Sequence, residues 1–363
     1  ENIEVIKKTQ AELKADQVRF KAEVREQFKT VTDMLNELLQ ARNVNNNDAQ
    51  TTLETTLAVN PADKNKDIII LGGWYAWALD KVSNTVEKFN TVKGKSTELP
   101  RMCKPRAASA SCVHNGDVII TGGWDGEDGD DCIEILNMKQ RPLRWKMLQR
   151  KLPFKLFSHT VTVYHNNMYV IGGQNCNENE TSNAIHELSL TPPYTAKLLA
   201  RMPQARRNHR AEIVNGKLFI FGGTTTDTGK DALDSVVVYD FITKQFKTCP
   251  SLPKAVCRMS TVTWGNMIII IGGRDKNDHM LNDVIMYDTE TGRSEKWPSL
   301  KHKRSGSSAV TIDDVIVVLG GRNKDQGFLN SVESFTMGSD GWKQLPGMKE
   351  KRYFATAVVL PRI

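Results

Sequence analysis

Six Gly-Gly pairs recur at nearly constant spacing in this chain: Gly72-Gly73, Gly122-Gly123, Gly172-Gly173, Gly222-Gly223, Gly272-Gly273 and Gly320-Gly321. The first five are 50 residues apart and the last follows after 48. Each pair ends a short run of β-branched and apolar residues, at 67–71, 117–121, 167–171, 217–221, 267–271 and 315–319. Such runs suit strands buried on both faces. A fixed period of this length marks one supersecondary unit repeated, each copy covering the faces of its neighbours. Glycine at the end of every buried strand marks a place where backbone passes close to backbone.

The rest of the unit follows from the same alignment. Tight-turn dipeptides precede five of the runs: Asn115-Gly116, Asn166-Asn167, Asn215-Gly216, Gly265-Asn266 and Asp313-Asp314. They fit two-residue hairpin turns, whose residues must reach positive φ. A leading strand is therefore expected at 107–113, 158–164, 209–214, 259–264 and 307–311. A third strand is expected at 86–89, 133–136, 185–188, 236–239, 284–287 and 332–335. A fourth carries an aromatic in several copies, Trp145, Phe246, Trp297 and Trp342. The first copy has no leading strand before residue 67. The segment 352–359 has the pattern of the other leading strands and is expected to pair beside 67–71, removing two exposed sheet edges.

Tyr239-Asp240 and Tyr287-Asp288, each ending a third strand, complete a pattern that resembles the kelch-repeat family. Phe89-Asn90 and Phe335-Thr336 depart from it. The resemblance covers 67–361 and implies an all-β fold: a six-bladed kelch β-propeller over 67–363, closed by its C-terminal strand. It resembles the kelch domain of kelch-like (BTB-kelch) substrate adaptors. Those carry BTB and BACK regions ahead of the propeller, and neither is expected in the 66 residues that precede it here.

Residues 1–42 read instead as an α-helical coiled coil. One seam position holds Ile6, Leu13, Phe20, Gln27 and Met34, and the other holds Ile3, Gln10, Gln17, Val24, Val31 and Leu38. A sustained 3.5-residue repeat argues for self-association, although an amphipathic helix laid on the propeller would share the pattern. Residues 43–66, with Asn45-Asn46-Asn47-Asp48 and a Thr-rich stretch, read as a flexible linker.

Enzyme chemistry finds little foothold. The seven histidines fall roughly one per repeat, with His159 and His209 at equivalent places, which points to repeat inheritance. The sequence has no nucleophile elbow, phosphate loop or H-E-x-x-H. No metal and no cofactor are therefore expected. A D-x-D-G-like spacing in the acidic loop 125–131 lacks the twelfth-position Glu of a calcium loop. The six scattered cysteines form no C-x-x-C and suggest free thiols in a reducing, cytoplasmic setting. Cys176 lies in a polar loop, where a redox role would need a nearby positive charge. No apolar run reaches membrane-spanning length. The net charge of +7, spread over the repeats, favours an acidic partner without the signature of nucleic-acid binding.

That leaves the loops. Strand alternation puts the loops after each diglycine on the same face as the interblade links, and the resemblance makes this the partner-binding face. The links carry Arg106, Arg206, Arg207, Arg258, Arg304 and Arg352, and the post-diglycine loops add Arg274 and Arg322. Guanidinium groups take carboxylates bidentately, so convergent arginines favour an acidic peptide segment or phosphopeptide. The competing role for such residues is solubility or pairing with acidic neighbours. Trp74, Tyr75 and Trp77 crowd one loop and are of the type that anchors interfaces. The expected function is protein–protein interaction, through substrate recognition for a ubiquitin ligase or, alternatively, actin binding in a cytoskeletal scaffold. A propeller enzyme ranks third.

Overall fold

The computed structural model describes residues 67–76, 81–226 and 228–360. The coiled-coil and linker segments and Trp77 lie outside the described residues. Among those described, the regular elements are strands, arranged in six radial sheets with a small two-stranded ribbon, Arg322–Asn323 with Gly327–Phe328. All strand pairing is antiparallel.

The innermost strands are Thr356–Val359, Ala110–His114, Thr160–Tyr164, Arg210–Val214, Ser260–Trp264 and Ser308–Ile312. They pack against one another in a cycle around the axis. The diglycine strands come next: Asp67–Leu71, Asp117–Thr121, Asn167–Ile171, Lys217–Phe221, Met267–Ile271 and Val315–Leu319. Their near-continuous burial explains why their sequences run apolar without alternation. Six core clusters result, each shared between two adjacent blades. Ile69 and Leu71, for example, meet Val118 and Ile120 of the next blade, while Ile68 and Ile70 meet Val317 and Leu319 of the one before.

The C-terminal strand Thr356–Val359 lies beside Asp67–Leu71, with Ile68 opposite Val359 and Leu71 opposite Thr356. The first blade thus combines the two ends of the repeat region.

Three local expectations shift. The hairpin of the third blade turns at His165 and Asn166, with His165 at φ 54, because Asn167 is already needed to pair with Tyr164. The fourth strand of the second blade runs for 13 residues, Trp145–Phe157, and its far end also pairs with Gln174–Asn175 of the next unit. Trp342 precedes its strand, Lys343–Leu345, with the indole Nε1 donating to the Pro298 carbonyl at 2.8 Å.

Candidate functional site at the axial mouth

Each interblade link delivers its backbone to the diglycine of the preceding blade. The second glycine N–H donates to a link carbonyl: Gly73 to Arg106, Gly173 to Arg206, Gly273 to Arg304 and Gly321 to Arg352, all at 2.8 Å. The same carbonyls explain the first glycine. A Cβ on Gly72, at φ +61, would lie 2.3 Å from the Arg106 oxygen.

The side chains of these link residues correct the sequence expectation. Arg106, Arg206, Arg304 and Arg352 are at most 1% exposed, so none can reach a partner arriving from solvent. Each guanidinium turns inward and donates Nη1 to the carbonyl of the first glycine in its own sheet: Gly122 at 2.6 Å, Gly222 at 3.0 Å, Gly320 at 2.8 Å and Gly72 at 2.7 Å. Three also meet a buried glutamate. Arg106 reaches Glu134 at 2.9 Å, Arg304 reaches Glu333 at 2.7 Å and Arg352 reaches Glu87 at 2.9 Å. Those glutamates accept link N–H groups too, as Glu333 does from Lys301 at 2.7 Å and His302 at 3.1 Å. Arg206 has Val237 where the others have glutamate, and bonds Ser235 instead. Burial without a carboxylate pushes its pKa down to about 10.

Two residues further along, the links tighten into a ring on the axis. Ala108, Ser158, Asn208, Arg258, Gly306 and Phe354 all adopt φ between 51° and 61°. Each N–H donates to the carbonyl of its predecessor: Ser158 to Ala108, Asn208 to Ser158, Arg258 to Asn208, Gly306 to Arg258, Phe354 to Gly306 and Ala108 to Phe354, at 2.7–3.0 Å. This cycle rims the mouth of the central channel on the diglycine face.

The remaining arginines gather at that rim. Arg258 lies 5.5 Å from the centroid of the Phe354 ring and donates Nη1 to the Tyr353 hydroxyl at 3.1 Å, while its buried Nε has no acceptor. Arg207 holds Gln174 Oε1 at 2.8 Å and the Thr226 carbonyl at 3.2 Å. Arg274 pairs with Asp278. Burial lowers the pKa of Arg207, and Arg258 nearby lowers it further. Burial likewise lowers Arg274, helped by Arg258 and Arg322. The four guanidiniums therefore share one electrostatic field. Acidic groups also border it: the field of Asp231 acts back on Arg207.

Aromatic rings flank the cluster. Tyr353 stacks on Phe328 at 5.4 Å and meets Phe354 at 4.4 Å. Trp74, half-buried, lies 6.2 Å from Tyr353 and 5.9 Å from Phe354. Tyr75 is 44% exposed. Of the residues singled out from sequence, Arg207, Arg258, Arg274, Arg322 and Trp74 come together around the mouth, with Tyr75 beside Trp74 in the chain. Tyr353, Phe354 and Phe328 escaped that reading. The first two lay inside a segment that read only as a strand.

Other singled-out features resolve differently. The acidic loop is met by lysines of its own blade: Asp128 by Lys155 at 2.6 Å and Asp131 by Lys151 at 3.1 Å. Asp130, Asp131 and Cys132 cluster closely enough to suggest a metal, but Asp130 already pairs with Arg106 at 3.0 Å and Lys104 at 3.3 Å. All six cysteines are unpaired, and burial raises the Cys176 thiol rather than activating it. His159 and His209 are fully enclosed, and burial lowers the first to about 3. No described helix is long and apolar enough to cross a membrane.

The sequence profile of the KLHDC2/KLHL20/DRC7 Kelch-repeats domain matches residues 158–361, and a Kelch motif matches 105–141. Spermatocyte protein spe-26 of Caenorhabditis elegans is 27% identical over 225 residues, which is 60% of this chain and 38% of that protein. Kelch-like protein 40 of Xenopus laevis is 25% identical over 221 residues, 59% of this chain and 35% of that protein. Alpha-scruin of Limulus polyphemus is 27% identical over 123 residues, covering 33% of this chain and 13% of that protein. The chain thus spans well under half the length of these curated relatives. The solved structure titled "Structure of YjhT" superposes with a TM-score of 0.62 at 16% identity, covering 71% of this chain and 88% of that one, and shows a shared fold. The chain belongs to the kelch-repeat family of β-propellers.

Proposed function

We propose that this kelch propeller is an interaction module that receives an acidic segment of a partner protein at the axial mouth. The observation that carries the reading is Arg258. It sits on the rim with a buried Nε lacking an acceptor and no carboxylate in ion-pair range among the described residues, coupled to Arg207 and Arg274, the latter also in the field of Arg322. An entering carboxylate would supply the missing acceptor, and charge-assisted bonds of this kind are about twice as strong as neutral ones. The rings of Trp74, Tyr75 and Phe354 beside it would supply apolar contact.

Similarity to kelch-like proteins supports a substrate-adaptor role in a ubiquitin ligase, in the cytoplasm. The match to alpha-scruin supports the cytoskeletal alternative, actin binding. Self-association through the heptad-patterned 1–42 segment would link several mouths and raise avidity without new contacts.

The test uses the full chain and a fluorescein-labelled Asp/Glu-rich peptide, with its Asn/Gln counterpart as control. Binding is expected for the acidic peptide only. It should weaken as salt rises, and by more than about tenfold in Arg258→Glu. Equal affinity for both peptides, or an unaffected Arg258→Glu variant, would overturn the reading. Affinity capture followed by mass spectrometry then separates cullin and ubiquitin machinery from actin.

A further inference from the structure

Below the rim the axial channel opens into a cavity of about 210 Å³, walled by the six innermost strands. Its lining is mostly hydroxyl and methyl: Ser111, Thr162, Ser308, Ala309, Thr356 and Ala357 among others. Against this neutral wall stand two charged residues, Arg210 and Glu212, both on the strand Arg210–Val214 of the fourth blade. His159 also borders the cavity but is neutral near pH 7, its pKa being lowered by burial to about 3.

Arg210 and Glu212 are two residues apart on one strand, so both project to the same side, with backbone positions about 6.6 Å apart. No ion pair within 4.0 Å joins them, and among the described residues Arg210 has no other acidic partner. Its guanidinium makes one hydrogen bond, Nη1 to the His209 carbonyl at a long 3.3 Å. Glu212 accepts from Thr261 Oγ1 at 2.6 Å. Burial lowers Arg210 and raises Glu212, so each charge sits where a ligand of opposite character would stabilise it. Ser109 Oγ, also at the cavity, is enclosed without a partner.

We propose that the channel binds a small carboxylic acid that also carries a hydrogen-bond donor, such as an α-amino or α-hydroxy acid. The carboxylate would lie on Arg210 and the donor on Glu212. Arg210 and Glu212 lie in each other's field without a direct ion pair, so a molecule whose acid and donor are one carbon apart can bridge them. The volume admits a molecule of several non-hydrogen atoms and excludes a folded segment. This site is independent of the protein-partner reading at the rim, and failure of either leaves the other standing.

Saturation-transfer NMR on the full chain tests it with glycine, glycolate and acetate as probes. Transfer is expected to glycine and glycolate, and more weakly to acetate, which lacks the donor. Arg210→Gln should lose about tenfold or more in affinity for all three, as expected for a charge-assisted pair. Glu212→Gln should affect glycine far more than acetate. If Arg210→Gln does not fold, Thr162→Leu, which narrows the cavity from the neighbouring strand, should abolish transfer. The proposal is overturned if no probe shows transfer to the wild type. It is also overturned if a folded Arg210→Gln, or Thr162→Leu where that variant does not fold, binds as the wild type does.

Discussion

Replacing Arg304 and Arg206 separately by leucine should give unequal losses of stability, although both guanidiniums are buried at equivalent places and each bonds the first-glycine carbonyl of its own sheet. Arg304 neutralises Glu333, which also holds the Lys301 and His302 N–H groups. Arg304→Leu leaves that carboxylate buried without its guanidinium, a loss of about 3–5 kcal/mol. Arg206 has no carboxylate partner, only Ser235 and the Gly222 and Ser235 carbonyls. The equivalent link residues whose carbonyls accept from the Gly123 and Gly223 N–H groups are Leu156 and Val256, so the architecture already accommodates an apolar side chain there. Arg206→Leu should then cost about 1–2 kcal/mol, the loss of neutral hydrogen bonds. A gap of about 2 kcal/mol, at a urea slope of about 3 kcal/mol/M, separates the two unfolding midpoints by about 0.7 M. The double variant Arg304→Leu/Glu333→Leu should recover most of the larger loss, because it removes both charges together. Equal midpoints for the two single variants would refute the argument that the glutamate, not burial alone, makes Arg304 indispensable.

Two further outcomes follow from the same geometry. His159 titrates near 3 in the fold and near 6.5 unfolded, and His209 shifts the same way. The unfolded chain therefore binds more protons between those values, so stability should fall as pH drops from about 6.5 toward 3, by up to about 1.4 kcal/mol per pH unit per histidine. His159→Met, which copies Met259 at the equivalent position, should flatten that dependence in pH-resolved thermal melts, and an unchanged slope would count against it. Deleting residues 350–363 removes Arg352 from Glu87 and Thr356–Val359 from Asp67–Leu71. Circular dichroism should show loss of the cooperative transition, and a melt matching the full chain would show that the first blade does not need that strand.

The fold was legible because the diglycines number the repeats. All six buried strands fall where the residues before each pair place them, since a strand covered on both faces has no freedom to be polar. Turn chemistry was less reliable where it was ambiguous. Asn166-Asn167 reads as well as His165-Asn166, and only the register of Tyr164 against Asn167 chooses between them. The extension of the Trp145–Phe157 strand was not legible either, because its far end is held by Gln174 and Asn175 of the following unit.

The arginines pose a sharper question, because identical residue types one or two repeat positions apart do opposite things. Arg106, Arg206 and Arg304 each stand 16 residues before the first glycine of their own sheet, the distance at which a side chain returns to that glycine carbonyl. Arg352 obeys the same rule across the closing strand, reaching Gly72. Arg207 and Arg258 come one and two places after the corresponding link residue, where the chain turns through positive φ onto the rim. Arg274 and Arg322 immediately follow their diglycines and arrive from the other side. Counting from the diglycines thus sorts scaffold arginines from rim arginines with no side-chain coordinates. What counting cannot supply is Arg210. Its neighbours along the chain are a buried histidine and an alanine, and its exposure to the channel exists only once six strands have closed around it. The repeat dictates where arginines can be functional, while the ring decides which of them share a space.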